Sequence, residues 1–169
     1  MLVPQVKPIR VLLVEDSIAD AHAVVNDLRY TQTVFEVTVV GSLLEAQRHM
    51  EEHVESTDEV SEEGAHAYDA VLLDLHLPNG RGLACIKALR AISISVPIIV
   101  LTGLEDQPVG NYFDAGADDY VSKSSPGKQI EAALYRAARS YRRQRQTRRK
   151  WQTITVKLSA LDRLEPLAL

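Results

Sequence analysis

Four apolar, β-rich runs in this chain stop on residues able to do polar chemistry. Ile9–Val14 (IRVLLV) is followed by Glu15 and Asp16, and Asp69–Asp74 (DAVLLD) ends on Asp74. Pro97–Thr102 (PIIVLT) ends on Thr102, and Lys123 follows Asp118–Ser122 (DDYVS). If the runs are parallel strands, three carboxylates, a hydroxyl and an ammonium converge on one rim. Clustered carboxylates repel one another and shift each other's pKa values. A hard divalent cation relieves that repulsion, and Mg²⁺ favours oxygen ligands. A metal and an ammonium together neutralise the oxygens of a phosphoryl group. A carboxylate at their centre can act as nucleophile and form an acyl phosphate. No one of these residues is specific, but the set at successive strand ends is.

The elements that must position them follow from the pattern. A fifth run, Phe35–Val40 (FEVTVV), alternates more than the others, which suits an edge strand. The nearly continuous runs at 9–14, 69–74 and 97–102 suit strands covered on both faces. Helical patterns lie between them at 17–30, 42–53, 82–92, 106–115 and 126–150. Ser42-Leu-Leu-Glu45 has the spacing of a capping box, and Ser125-Pro126 pairs an N-cap candidate with a proline at the first helical position. Alternation of five strands with five helices predicts an α/β, doubly wound parallel sheet. In such sheets ligands bind beyond the carboxyl ends of the strands, where strand order reverses.

Composition excludes several classes. With 46% hydrophobic and 25% charged residues over 169 positions, the chain can bury a core and is neither collagen-like nor wholly disordered. No apolar run approaches the roughly 18 residues of a membrane span, and MLVPQVKPIR lacks the apolar region of a signal peptide. The single Cys forms no internal disulfide. The expectation is a soluble, cytoplasmic protein with no membrane partner. Charge is uneven: residues 1–141 carry 11 Lys+Arg against 21 Asp+Glu, a net of −10, whereas RRQRQTRRK (142–150) holds six bases and no acid. An acidic body is a poor nucleic-acid binder by itself. Residues 51–63 hold seven acids and no base, and 54–67 reads as a mobile surface loop.

The stretches LLVEDS (12–17), VLLDLHLPNGRG (71–82), IIVLTG (98–103) and AGADDYVSK (115–123) together resemble the receiver domain of two-component response regulators. The resemblance implies a CheY-like, flavodoxin-like sheet in the order 2-1-3-4-5. It implies that Asp74 is the phosphoacceptor, and that Glu15 and Asp16, with Asp74 and the His76 backbone carbonyl, hold Mg²⁺ (or Mn²⁺). Thr102 and Lys123 would each bond a phosphoryl oxygen, and Tyr120 would switch between outward and inward positions as Thr102 moves. A histidine kinase or histidine phosphotransfer protein would supply the phosphoryl group. A downstream protein, or an output domain absent from this chain, would read the result, and homodimerisation is left open. The protein would be a signalling switch with self-phosphorylation and weak autodephosphorylation, not a metabolic enzyme.

Two rivals remain beside it. A pseudo-receiver scaffold would keep the fold without phosphorylation, against which Asp74, Thr102 and Lys123 all argue. An aspartate-nucleophile phosphohydrolase of the haloacid-dehalogenase type needs a second Asp two residues after the nucleophile, where this chain has His76. The His76 imidazole is expected to point into solvent. The family's usual proline after the lysine is Ser124 here, so a trans peptide is expected at that position. Gly80 and Gly82 are expected to permit backbone turns, and Cys85 to be a small core or boundary residue. The expected division is an arm at 1–8, a receiver domain at 9–141, and a basic helical extension with a short tail at 142–169. Helical spacing at Ile130, Leu134, Ala137, Ala138 and Tyr141 marks a face packed on the sheet, beyond which the arginine run reads as a solvated stalk. Contact with nucleic acid or an anionic lipid surface is the alternative for that run.

Overall fold

The structure, a computed structural model, describes residues 7–52, 68–78, 80, 82–103 and 108–161. The acidic segment read as a loop at 54–67 lies outside the described residues. The strands are β1 (Ile9–Val14), β2 (Phe35–Val40), β3 (Ala70–Asp74), β4 (Ile98–Thr102) and β5 (Asp119–Ser122). They alternate with α1 (Ile18–Arg29), α2 (Leu43–Glu51), α3 (Leu83–Ile92), α4 (Gly110–Asp114) and α5 (Gly127–Leu161). All strand pairs are parallel, in the order β2-β1-β3-β4-β5. This is the doubly wound, flavodoxin-like sheet expected from the sequence.

Successive side chains of a strand face opposite ways, so each central strand feeds two cores. Leu12, Val14, Val71, Leu73, Ile98 and Val100 face α2, α3 and α4, where Ala46, Cys85, Ile86, Leu89 and Tyr112 meet them. Val11, Leu13, Leu72, Ile99 and Leu101 face α1 and α5, meeting Val24, Leu28, Ile130 and Leu134. Every residue of β3 and β4 is buried, which explains their continuous apolar runs. The edge strand β2 is mostly half-exposed, as its alternation predicted.

Local chemistry sets the boundaries. Ser17 caps α1 by accepting the Asp20 N–H at 3.2 Å, and Ser42 caps α2 by accepting the Glu45 N–H at 3.2 Å. The return half of the capping box is shifted by one residue: Glu45 Oε2 accepts the Gly41 N–H at 2.8 Å, not that of Ser42. Gly82 opens α3 at φ +61°, as its reading as a turn residue requires. Gly80 instead answers to space, because a Cβ there would sit 3.0 Å from both Cys85 Sγ and Leu43 Cδ2. Cys85 is fully buried, and the Lys123–Ser124 peptide is trans.

Two helix boundaries differ from expectation. α4 starts at Gly110 rather than 106, following Pro108, whose carbonyl accepts the Asn111 N–H; positions 104–107 lie outside the described residues. α5 runs 11 residues past position 150, to Leu161. No Gly or Pro interrupts it, and extending an existing helix incurs no nucleation cost, so even the β-branched run at 153–156 continues the spiral.

Candidate functional site

Parallel register brings the sequence-predicted residues together. Val14 pairs with Leu73, so the next residues, Glu15 and Asp74, stand side by side at the carboxyl ends of β1 and β3. Thr102 pairs with Ser122, and the Lys123 N–H donates to the Thr102 carbonyl at 2.7 Å, which fixes Lys123 just past β5. Glu15, Asp74 and Thr102 are buried, and Asp16 is exposed at the mouth.

The Lys123 ammonium is the hub. Its Nζ lies 2.6 Å from Glu15 Oε2, 2.9 Å from Asp20 Oδ2 and 3.1 Å from Asp74 Oδ2. The second Glu15 oxygen accepts the Ser17 N–H at 3.1 Å, and Asp74 Oδ1 accepts the His76 N–H at 3.2 Å. The His76 imidazole is half-exposed, as expected, but its Nδ1 also comes within 3.6 Å of Asp74 Oδ1. Burial pushes the Glu15 carboxyl above the usual range, and the neighbouring Asp74 charge adds to this against the pull of Lys123. Burial works against the Lys123 ammonium, yet hydrogen bonds to Glu15, Asp20 and Asp74 outweigh it and hold the group charged far into the alkaline range. Lys123 in turn holds Asp20 below its ordinary value.

One oxygen from each of Glu15, Asp16 and Asp74 lies within 4.8 Å of the others. Asp20 adds a carboxylate beside this group, so among the described residues three carboxylates contact the Lys123 ammonium and a fourth, Asp16, lies near two of them. That excess of hard, anionic oxygen fits a divalent cation of the Mg²⁺ kind.

Tyr120 lies apart from this hub. It is partly exposed on β5 and packs against α4, its ring centroid 6.3 Å from that of Tyr112 and 6.4 Å from that of Phe113. Asp20 is the site residue the strand-end reading missed. Its one local signal is an acid in the first turn of α1, which by itself reads as a partner of the helix dipole.

A buried carboxylate beside an ammonium and further acids thus stands at the carboxyl ends of a parallel sheet, where doubly wound α/β domains bind their ligands. The family model of the response regulator receiver domain matches residues 11–135. The chain belongs to that family, the signalling modules of two-component systems. It is 30% identical over 116 residues to the transcriptional regulatory protein CiaR of Streptococcus pneumoniae, covering 68% of this chain and 45% of that protein. It is 32% identical over 110 residues to the cell cycle transcriptional regulator CtrA of Caulobacter vibrioides, covering 62% and 48%. The match thus spans less than half the length of these relatives. Among solved structures, it resembles the receiver domain of the sensor histidine kinase PA1611 from Pseudomonas aeruginosa, which has a magnesium ion coordinated in its active-site cleft. That similarity has a TM-score of 0.61 at 28% identity and covers 78% of this chain and 98% of that one. A CheY-like receiver protein from Methanospirillum hungatei shares the fold, with a TM-score of 0.63 at 18% identity over 82% of this chain and 99% of that one.

Proposed function

We propose that this chain is a phosphorylation-dependent switch whose acceptor is Asp74. The carrying observation is the Asp74 carboxylate itself, buried at the end of β3 with Lys123 Nζ 3.1 Å from one oxygen and the His76 N–H on the other. In the transfer, an Asp74 oxygen attacks the phosphorus of a phosphoimidazole on a histidine kinase or histidine phosphotransfer protein. The P–N bond breaks, and its electron pair returns to the imidazole nitrogen. Lys123 bonds one phosphoryl oxygen and the Thr102 hydroxyl another. Glu15, Asp16, Asp74 and the His76 backbone carbonyl would hold Mg²⁺ (or Mn²⁺), which when bound neutralises phosphoryl charge. Slow attack by water returns free Asp74 and inorganic phosphate.

Movement of the Thr102 side chain toward the phosphoryl group vacates space beside β5. Tyr120 then leaves its packing against Tyr112 and Phe113, which alters the face read by a downstream protein or an output domain. In this reading residues 9–141 are the cytoplasmic receiver unit, and the basic extension from 142 carries its orientation outward.

The test is intact-protein mass after incubation with acetyl phosphate, with and without Mg²⁺. The native chain should gain one phosphoryl group only with the metal, and Asp74→Asn should gain none. Full labelling of Asp74→Asn would place the acceptor elsewhere, and a folded native chain with no adduct would favour a non-phosphorylated scaffold.

A further inference from the structure

Asp20 stands at no strand end, yet it takes a third of the Lys123 ammonium. An ammonium has three N–H donors, and Glu15 Oε2, Asp20 Oδ2 and Asp74 Oδ2 at 2.6, 2.9 and 3.1 Å occupy its surroundings. Nζ donates hydrogen bonds to Asp20 Oδ2 and Asp74 Oδ2, and its contact with Glu15 is an ion pair, so a phosphoryl oxygen approaching Lys123 competes with these carboxylates for the ammonium. The three are not equivalent: the Glu15 and Asp74 side chains are 1% and 2% exposed, whereas that of Asp20 is 49% exposed. Asp74 is itself the group modified, so the choice falls between the other two: water replaces the ammonium at exposed Asp20 with little loss, whereas buried Glu15 would keep only the Ser17 N–H on its other oxygen. The Lys123 backbone is fixed by its bond to Thr102, and Asp20 is fixed in the first turn of α1 by the Ser17 cap. Only the lysine side chain needs to turn.

We infer that Asp20 is a positioning residue that competes with the phosphoryl group for Lys123, and is the partner surrendered when Asp74 is modified. This rests on the reading of Asp74 as acceptor. It makes Asp20 a brake on the modified state: the residue stabilises the resting position of Lys123 without touching the reacting atoms.

The experiment is a beryllofluoride titration at saturating Mg²⁺, followed by ¹⁹F NMR of the bound fluorides and by the ¹⁵Nζ resonance of Lys123. Asp20→Asn should bind beryllofluoride about two- to fivefold more tightly than the native chain, the range expected for loss of one half-exposed ion pair. The change in the Lys123 resonance on binding should be smaller in the variant, because the Asp20 contact is already gone. A purely structural role for Asp20 predicts the opposite, weaker binding. Unchanged or weaker binding by Asp20→Asn, or an equal Lys123 response in both proteins, overturns the inference and leaves Asp74 as acceptor. Failure of the native chain to bind beryllofluoride at all overturns both.

Discussion

The two ends of the sheet treat carboxylates in opposite ways. At the amino end, the acids that precede strands are held by arginine. Asp69, just before β3, accepts from Arg142 Nε at 2.9 Å and Nη2 at 2.5 Å, and from the Arg10 N–H at 2.9 Å. Asp118, just before β5, accepts from Arg90 Nη2 at 2.7 Å and from the Ile98 N–H at 2.8 Å. At the carboxyl end, the acids that follow strands outnumber their cations, since Glu15 and Asp74 share one lysine with Asp20. The titration directions agree. Burial pushes Asp69 up, but Arg142 and Arg10 overcome it and hold the carboxyl below its ordinary value of 3.8. Burial of Glu15 is not overcome, and that carboxyl stays above 4.5. A planar guanidinium fork saturates one carboxylate and fixes it. An under-neutralised cluster stays receptive to further positive charge.

The contrast is broken most severely at Asp69. Asp69→Ala should lose about 3 kcal/mol of unfolding free energy, the low end of the loss from breaking a buried pair. The low end applies because Arg142 and Arg10 are each about a quarter exposed and can regain water. The urea midpoint at unchanged m reports it. A loss under about 1 kcal/mol, the scale of exposed pairs, would remove the distinction between the two ends.

The opposite sign is expected at the rim. Glu15→Gln should stabilise the protein by about 1 kcal/mol near neutral pH, because it removes a buried charge while Lys123 keeps two carboxylates. The pH dependence sharpens this. The folded pKa of Asp69 is lowered, so the unfolded chain binds more protons there. Its stabilisation is complete above 3.8 and is lost as pH falls through the folded value. The folded pKa of Glu15 is raised, so the native state binds more protons, and stability declines as pH rises from 4.5 through the folded value. Urea midpoints across the acid range should therefore show a shallower acid-side slope in Asp69→Ala, where Asp20 still contributes, and a weaker decline above 4.5 in Glu15→Gln. Destabilisation by Glu15→Gln would mean that both ends are structural clamps.

The same division governs what the sequence discloses. Strand positions, the edge status of β2 and the residues at the strand ends all follow from local periodicity and from which face is covered. Pairings made by tertiary approach carry no local signal. Lys123 meets Asp20 across 103 positions, and Arg142 meets Asp69 across 73. Arg142 opens the run read as a solvated stalk, yet it also donates to the Lys7 and Pro8 carbonyls and ties α5 to the start of β1. Its neighbours in RRQRQTRRK have the same local composition, so only the fold separates the clamp from the stalk. The end of α5 was hidden for a different reason: with no breaker to mark it, the apolar face ends long before the helix does.

The smallest effect belongs to a solvent-exposed ion pair at the start of β5. Arg136 Nη2 lies 3.1 Å from Asp119 Oδ2, with the two side chains 67% and 33% exposed. It joins α5 to β5 with the same pair of charges as the amino-end clamp, but through one contact and within reach of water. Water competes for both partners, and holding a long arginine in one rotamer costs side-chain entropy that offsets the attraction. Arg136→Ala should therefore cost no more than about 0.5 kcal/mol, and less in high salt. The comparison with Asp69→Ala is one of like chemistry in unlike surroundings. A loss at Arg136 approaching that at Asp69 would mean that arginine–carboxylate geometry, not exclusion of water, makes the amino end rigid.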